Sequence, residues 1–398
     1  MRLARQLSRL GTETAFAVSG EAAQFAKTGR KVYPFHLGDL NIPTPANIVK
    51  ATFEAIEKGK TGYCAPQGIL ELRELLANDI NQSHGTSYTA DNVVVQPGGK
   101  PVVGKFLLAL MNPGDKVLYP NPGYPIYESL IEFHGGIPVP YAYHETQNGF
   151  ALDVDQIERS IDSQTSILFI NNPQNPTGAE SDAQELAHLA QVIRKHNLSV
   201  LCDEAYFDIR YDGPGSSLMS LPGMQEHCVV LYTFSKKFAM TGWRLGAAVG
   251  PKAVVEAIAK LNVNHESCSN HFAQYGAVEA LSGPQDDYHR LIDTLRDRRD
   301  RIVTRLNSIE GIRCYPPSAT FYVYANVTDL MHGMGVEDYE EFRKHALQAT
   351  GVSFCTRLHF GRRPDDESSL YIRFAYSGIE AADIEEGLIE LKRFAEQA

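Results

Sequence analysis

The chain has 398 residues, 43% of them apolar and 21% charged, and a net charge of −11. That balance excludes a disordered or fibrous protein and, without a long basic run, argues against nucleic acid or an anionic membrane as partner. No stretch offers the roughly 20 consecutive apolar residues of a membrane-spanning helix. Six scattered cysteines with no C-x-x-C pair point to free thiols in the cytoplasm, with no disulfide framework and no metal site. The length predicts two or three domains, or one large and one small lobe.

In chain order, MRLARQLSRLGTETAF alternates Arg2, Arg5 and Arg9 with Leu3, Leu7 and Leu10. The pattern suits an organelle-targeting helix, but it is short and runs straight into structured sequence. We read it as an arm packing its leucines on the body. Short β-branched runs at 92–96, 116–119, 166–170, 199–202, 229–232 and 245–249 then alternate with helical stretches, among them 126–133 and 183–196. Continuous apolar strands between helices predict a parallel or mixed sheet covered on both faces. Ligands in such sheets sit beyond the carboxyl ends of the strands. Here those ends read PGGK, NPGYP, NPQNPTG, DEAY and TFSKK. After about residue 290 come a charged amphipathic helix, the strands ATFYVYANV and SLYIRFAYS, and a last helix, which predict a smaller α+β lobe.

Four polar clusters bear on chemistry. In SKKFAMTGWR a lysine, the hydroxyls Thr233 and Ser235, and Arg244 eight residues after Lys236 read as an anion site beside a nucleophile, since guanidinium binds phosphate in a two-pronged fork. Two adjacent lysines, Lys236 and Lys237, cannot both enter one site. Asp203 in DEAY stands at the edge of a buried sheet, where a carboxylate needs a partner; alone it reads equally as a helix cap. NNPQNPTG by itself predicts a loop. PGGK places glycines where backbone N–H groups can approach an anion at a helix start, without the spacing of a nucleoside-triphosphate loop.

Together these strings, with GYCAPQGILELRELL, NPGYPIYE and YIRFAYSG in the same order, resemble the class I/II aminotransferases, the fold-type I pyridoxal-phosphate enzymes of the aspartate aminotransferase family. The resemblance covers nearly the whole chain. It implies an α/β large domain with a mostly parallel seven-stranded sheet sandwiched by helices, and a small α+β domain built from both chain ends. The expected division is 1–45 for the arm and part of the small domain, 46–290 for the large domain and 291–398 for the small one. It implies pyridoxal 5'-phosphate as cofactor. Lys236 matches the Schiff-base lysine and proton shuttle, Asp203 the carboxylate at the pyridine nitrogen, and Tyr206 and Asn175 the pair on the phenolic oxygen. Arg244, Gly99, Lys100, Thr233 and Ser235 match the phosphate cup, with Tyr124 and Ala205 on the two ring faces. Arg373 matches the clamp on the substrate carboxylate, assisted by Asn175 and the Gly38 backbone. Tyr63 matches a tyrosine that reaches the cofactor of the neighbouring subunit, which implies a homodimer.

The expected reaction moves an amino group from an L-amino acid to a 2-oxo acid by ping-pong half-reactions. A dicarboxylate donor is favoured, because Lys100 and the hydroxyls of Thr12 and Thr14 match groups holding a distal carboxylate. Donors with aromatic or small neutral side chains, or a carbon–sulfur lyase on the same scaffold, are the alternatives. A transcription regulator is disfavoured, since the family pattern starts within the first dozen residues. The segment CTRLHF at 355–360 departs from the family's usual Pro-Gly-x-x-Phe. It brings Arg357 and His359 toward the substrate mouth, with Arg357 expected to read the substrate side chain.

Overall fold

The computed structural model describes residues 1–11 and 14–397. Seven strands form the main sheet: β1 (Val93–Gln96), β2 (Lys116–Pro120), β3 (Ile137–Tyr141), β4 (Thr165–Asn171), β5 (Ser199–Asp203), β6 (Cys228–Thr233) and β7 (Gly246–Val249). Their spatial order is β1-β7-β6-β5-β4-β2-β3, and only β7 runs antiparallel to its neighbours. Successive side chains of a strand face opposite ways, so the apolar runs serve two cores. Val93, Val95, Leu168, Val200 and Val230 join one face, and Val94, Ile167, Leu201, Val229 and Ala248 the other. Leu186, Leu189 and Ile193 of the helix Ala183–His196 cover the first face. Val103, Phe106 and Leu107 of Lys100–Leu110 cover the second.

The strand missing from the sequence reading is β3, IPVPY. Pro138 and Pro140 lack the N–H that a central strand must donate, and β3 lies at the sheet edge, paired only with β2. A separate core gathers the last third of the chain around β8 (Tyr322–Asn326), β9 (Cys355–Thr356) and β10 (Tyr371–Ala375), an antiparallel sheet ordered β8-β10-β9. It includes Tyr33 and Phe35, and also Tyr206, Ile209 and Tyr211 from the segment read as large domain. Tyr33 and Pro34 pair in parallel with Val352 and Ser353, bringing distant parts of the chain into one small sheet.

The N-terminal arm corrects an expectation. Leu3, Leu7 and Leu10 are 77%, 43% and 44% exposed, so the arm does not bury its leucines on its own chain. A backbone bond holds it instead, Gly11 N–H donating to Ser129 Oγ at 2.9 Å. Among the described residues no helix is long and apolar enough to cross a membrane, and all six cysteines are free.

Candidate active site

Parallel strands end side by side at one edge of the main sheet, and their register aligns the polar residues there. Asn171 at the end of β4 lies opposite Asp203 at the end of β5. Thr233 ending β6 and Gln96 ending β1 both lie opposite Gly246, which starts β7. The loops beyond these ends line a cavity of about 570 Å³, the size of a small-molecule site. Its other wall comes from the last third of the chain, through Tyr322, His359, Phe360 and Arg373, and from the N-terminal segment, through Ala15, Phe16 and Gly38.

Asp203 is buried. Its Oδ2 accepts from the Tyr127 hydroxyl at 2.5 Å and its Oδ1 from the Ala205 N–H at 3.1 Å. Burial pushes the carboxyl up to about 6, against the pull of those two hydrogen bonds. A carboxylate held this way strongly favours a cation beside it. The Tyr206 hydroxyl lies 2.7 Å from that of Tyr322, and burial holds its pKa well above the usual range.

The two adjacent lysines part company on the short helix Phe234–Lys237. Lys236 lines the cavity and donates to the Gly38 carbonyl at 2.8 Å. Lys237 turns away to Asp208 at 3.2 Å and Asp79 at 3.7 Å. At one end of the cavity Thr233 Oγ1 caps that helix through the Ser235 N–H at 3.2 Å and donates to Ser235 Oγ at 2.9 Å. Arg244 is held there by the Thr241 carbonyl at 2.8 Å. Gly98, at φ +102°, makes room for it: a Cβ would fall 2.2 Å from Arg244 Nη2.

Arg373, in β10, is 4% exposed. Its guanidinium lies between the rings of Tyr322 and Phe360, 4.4 and 4.6 Å from their centroids. Nη1 donates to Asn175 Oδ1 at 3.0 Å and Nη2 to the His36 carbonyl at 2.8 Å. One N–H of each Nη is left, a fork that suits a carboxylate. Among the described residues no carboxylate forms an ion pair with Arg244 or Arg373, and both guanidiniums line the cavity.

Gly99, Lys100, Tyr124 and Ala205 also line the cavity, with the Lys100 ammonium 5.7 Å from the Tyr124 ring centroid. Of the remaining expected residues, Tyr63, Thr14 and Arg357 lie outside the cavity. Tyr63 is 86% exposed and does not line its own chain's cavity. Arg357 is the clear correction: it is fully buried, with its Nε 2.9 Å from both carboxylate oxygens of Glu367 and its Nη2 on Asn121 Oδ1 at 3.0 Å. A guanidinium so paired cannot read a substrate, and His359 is the member of that turn that reaches the cavity. Thr12 lies outside the described residues, and Thr14 is exposed at the start of the helix Ala15–Ala26. Sequence reasoning missed Tyr127 and Tyr322. A tyrosine on the buried face of a helix ordinarily reads as core, and in ATFYVYANV Tyr322 and Tyr324 look alike.

The family description aminotransferase class I and II matches residues 30–389. The chain belongs to the class I and II aminotransferases. This aminotransferase is 33% identical over 371 residues to the aspartate/prephenate aminotransferase of Cereibacter sphaeroides, covering 91% of this chain and 92% of that one. It is 31% identical over 378 residues to the aspartate aminotransferase of Musicola paradisiaca, covering 94% and 92%. Among solved structures it is similar to aspartate aminotransferase from Thermus thermophilus with maleate (TM-score 0.90, 28% identity, 99% and 100% covered). It is equally similar to alanine aminotransferase from Pyrococcus furiosus (TM-score 0.91, 28% identity, 100% of both chains). Aminotransferases of this family use pyridoxal 5'-phosphate, and the donor set fits it: cation and hydroxyls for a phosphate, a lysine for an aldehyde, and a buried carboxylate for a ring cation.

Proposed function

We propose that this aminotransferase takes a dicarboxylic L-amino acid as donor and a 2-oxo acid as acceptor, in ping-pong half-reactions, as a cytoplasmic homodimer. The observation that carries the reading is that Arg244 and Arg373, neither of them ion-paired to a carboxylate among the described residues, line the same cavity as Lys236. One fits the cofactor phosphate and the other a substrate α-carboxylate. The aspartate-named relatives favour an acidic donor, and Lys100 on the cavity wall is the cation for its second carboxylate.

Pyridoxal 5'-phosphate, when bound, supplies an aldehyde carbon for the amino group and a ring that accepts electrons from the substrate Cα. Lys236 would hold that carbon and carry the proton to and from Cα. Asp203, fixed by Tyr127 and the Ala205 N–H, would keep the ring nitrogen protonated. Tyr206 and one amide N–H of Asn175 would donate to the phenolic oxygen. Thr233, Ser235, Arg244 and the backbone N–H groups of Gly99 and Lys100 would hold the phosphate, with Tyr124 and Ala205 against the two ring faces. Arg373 would grip the α-carboxylate, with Asn175 and the Gly38 backbone assisting. Exposed Tyr63 would complete the partner subunit's phosphate site, so a folded monomer would be inactive.

A screen of amino donors against 2-oxoglutarate, pyruvate and oxaloacetate, read as 2-oxo acid product, tests the substrate class. Aspartate or glutamate should lead. Preference for alanine or an aromatic donor would refute the dicarboxylate assignment.

A further inference from the structure

His359 lines the cavity beside Phe360, the ring that covers Arg373. It ends the three-residue turn Arg357–His359, whose N-cap is Thr356. The Thr356 backbone N–H points at His359 Nδ1 and donates to it at 3.1 Å, with the Thr356 hydroxyl 2.9 Å and the Thr356 carbonyl oxygen, the longest of the three contacts, 3.2 Å from the same atom. A backbone N–H is a donor in every state, so its direction toward Nδ1 assigns the lone pair to Nδ1 and the ring proton to Nε2, and the carbonyl contact is then not a hydrogen bond. Burial lowers the imidazole pKa, and the charges of Arg343 and Arg373 add to this against the opposing Glu340 and Thr356 backbone. The ring is therefore a neutral, oriented donor.

Among the described residues Nε2 has no hydrogen-bond partner. Next to this ring, Phe360 packs with Ala15 of the N-terminal helix in a small apolar cluster. A ligand that displaces water from such a wall must supply an acceptor or leave the N–H unmet at a cost. Arg373 takes one carboxylate and Lys100 supplies a cation for the other, while Arg357 is tied to Glu367, so a directed N–H for that second carboxylate has to come from another residue of the wall. We propose that His359 is a specificity-determining residue, its Nε2–H donating to the side-chain carboxylate of the dicarboxylic substrate. This rests on the dicarboxylate assignment above.

Two substitutions separate the cap from the donor. His359→Asn places an amide oxygen where Nδ1 accepts from Thr356 and offers nothing at Nε2. His359→Gln extends an amide N–H toward the position of Nε2 and gives up the cap. With holoenzyme, kcat/KM is measured for L-aspartate and L-alanine, and the dissociation constant of succinate by calorimetry. His359→Asn should lower kcat/KM for aspartate by about ten- to a hundredfold and weaken succinate alike, the range for a hydrogen bond to a charged acceptor, while alanine is little changed. His359→Gln should retain most of the selectivity for aspartate. Equal losses on both donors, or a glutamine variant worse than the asparagine one, would mean the ring serves only as a cap and would overturn the proposal. A wild type that does not prefer aspartate to alanine would instead refute the dicarboxylate assignment, and this inference with it.

Discussion

Replacing Asp203 with asparagine is expected to stabilise the cofactor-free protein while weakening its hold on the cofactor. Burial raises the Asp203 carboxyl from its ordinary 3.8 to about 6, a difference that corresponds to about 3 kcal/mol. Because the folded value lies above the unfolded one, the folded chain holds the proton more tightly. The associated stability is fully present below about pH 4 and is lost as pH rises through about 6. Asparagine has the same shape and does not ionise. The Ala205 N–H can still donate to its oxygen, and the Tyr127 hydroxyl can turn to accept from its amide. Asp203→Asn should therefore gain up to about 3 kcal/mol over wild type at pH 8 and almost nothing at about pH 4. Urea unfolding of cofactor-free protein at fixed concentration, followed by fluorescence of the single tryptophan Trp243, measures both. Adding pyridoxal 5'-phosphate should reverse the ranking, since only the carboxylate meets a ring cation. A gain that is the same at both pH values, or a loss at pH 8, would refute the assignment of Asp203 as a desolvated carboxylate.

Lys236→Ala should abolish the adduct that borohydride traps between protein and cofactor. Lys237→Ala should keep it, and lose about 2 kcal/mol of stability, below the range for fully buried pairs because Asp79 and Asp208 are each 29% exposed. Gly98→Ala should weaken cofactor binding, seen as a raised dissociation constant by absorbance titration, because the new methyl would meet Arg244. Arg357→Ala should lower the melting temperature by stranding Glu367 and Asn121 and change kcat/KM for aspartate and alanine by the same factor.

The fold was legible where local chemistry and tertiary packing agree. The helix Ala183–His196 can be read to the residue because Asp182 and Glu185 form a capping box at its start and Asn197 takes the left-handed conformation at its end. β3 was not legible, because its two prolines are tolerable only at an edge, and edge position is a property of the assembled sheet. The same distinction holds in the site. Lys236, Asp203 and Arg373 follow strand ends or lie on a strand, whose alternation and position the sequence states. Arg357 and His359 share one tight turn, where which side chain enters the cavity depends on Thr356 capping the turn and on Glu367 ten residues onward. Glu367 lies outside the string CTRLHF, and Thr356 within it does not by itself say which side chain turns inward.

The small parallel pairing of Tyr33 and Pro34 with Val352 and Ser353 also sets a timetable for synthesis. The Cys355 thiol reaches the His36 carbonyl across 319 residues of chain. At roughly 5–20 residues per second, a ribosome needs about 15 to 60 s to cover that distance. The main sheet, complete by residue 249, can assemble during that interval, while Tyr33 and Phe35 wait without the surfaces they will occupy. Arg373 emerges later still, so the nascent chain can bring Thr233, Ser235 and Arg244 together before the residue on the opposite wall of the cavity exists.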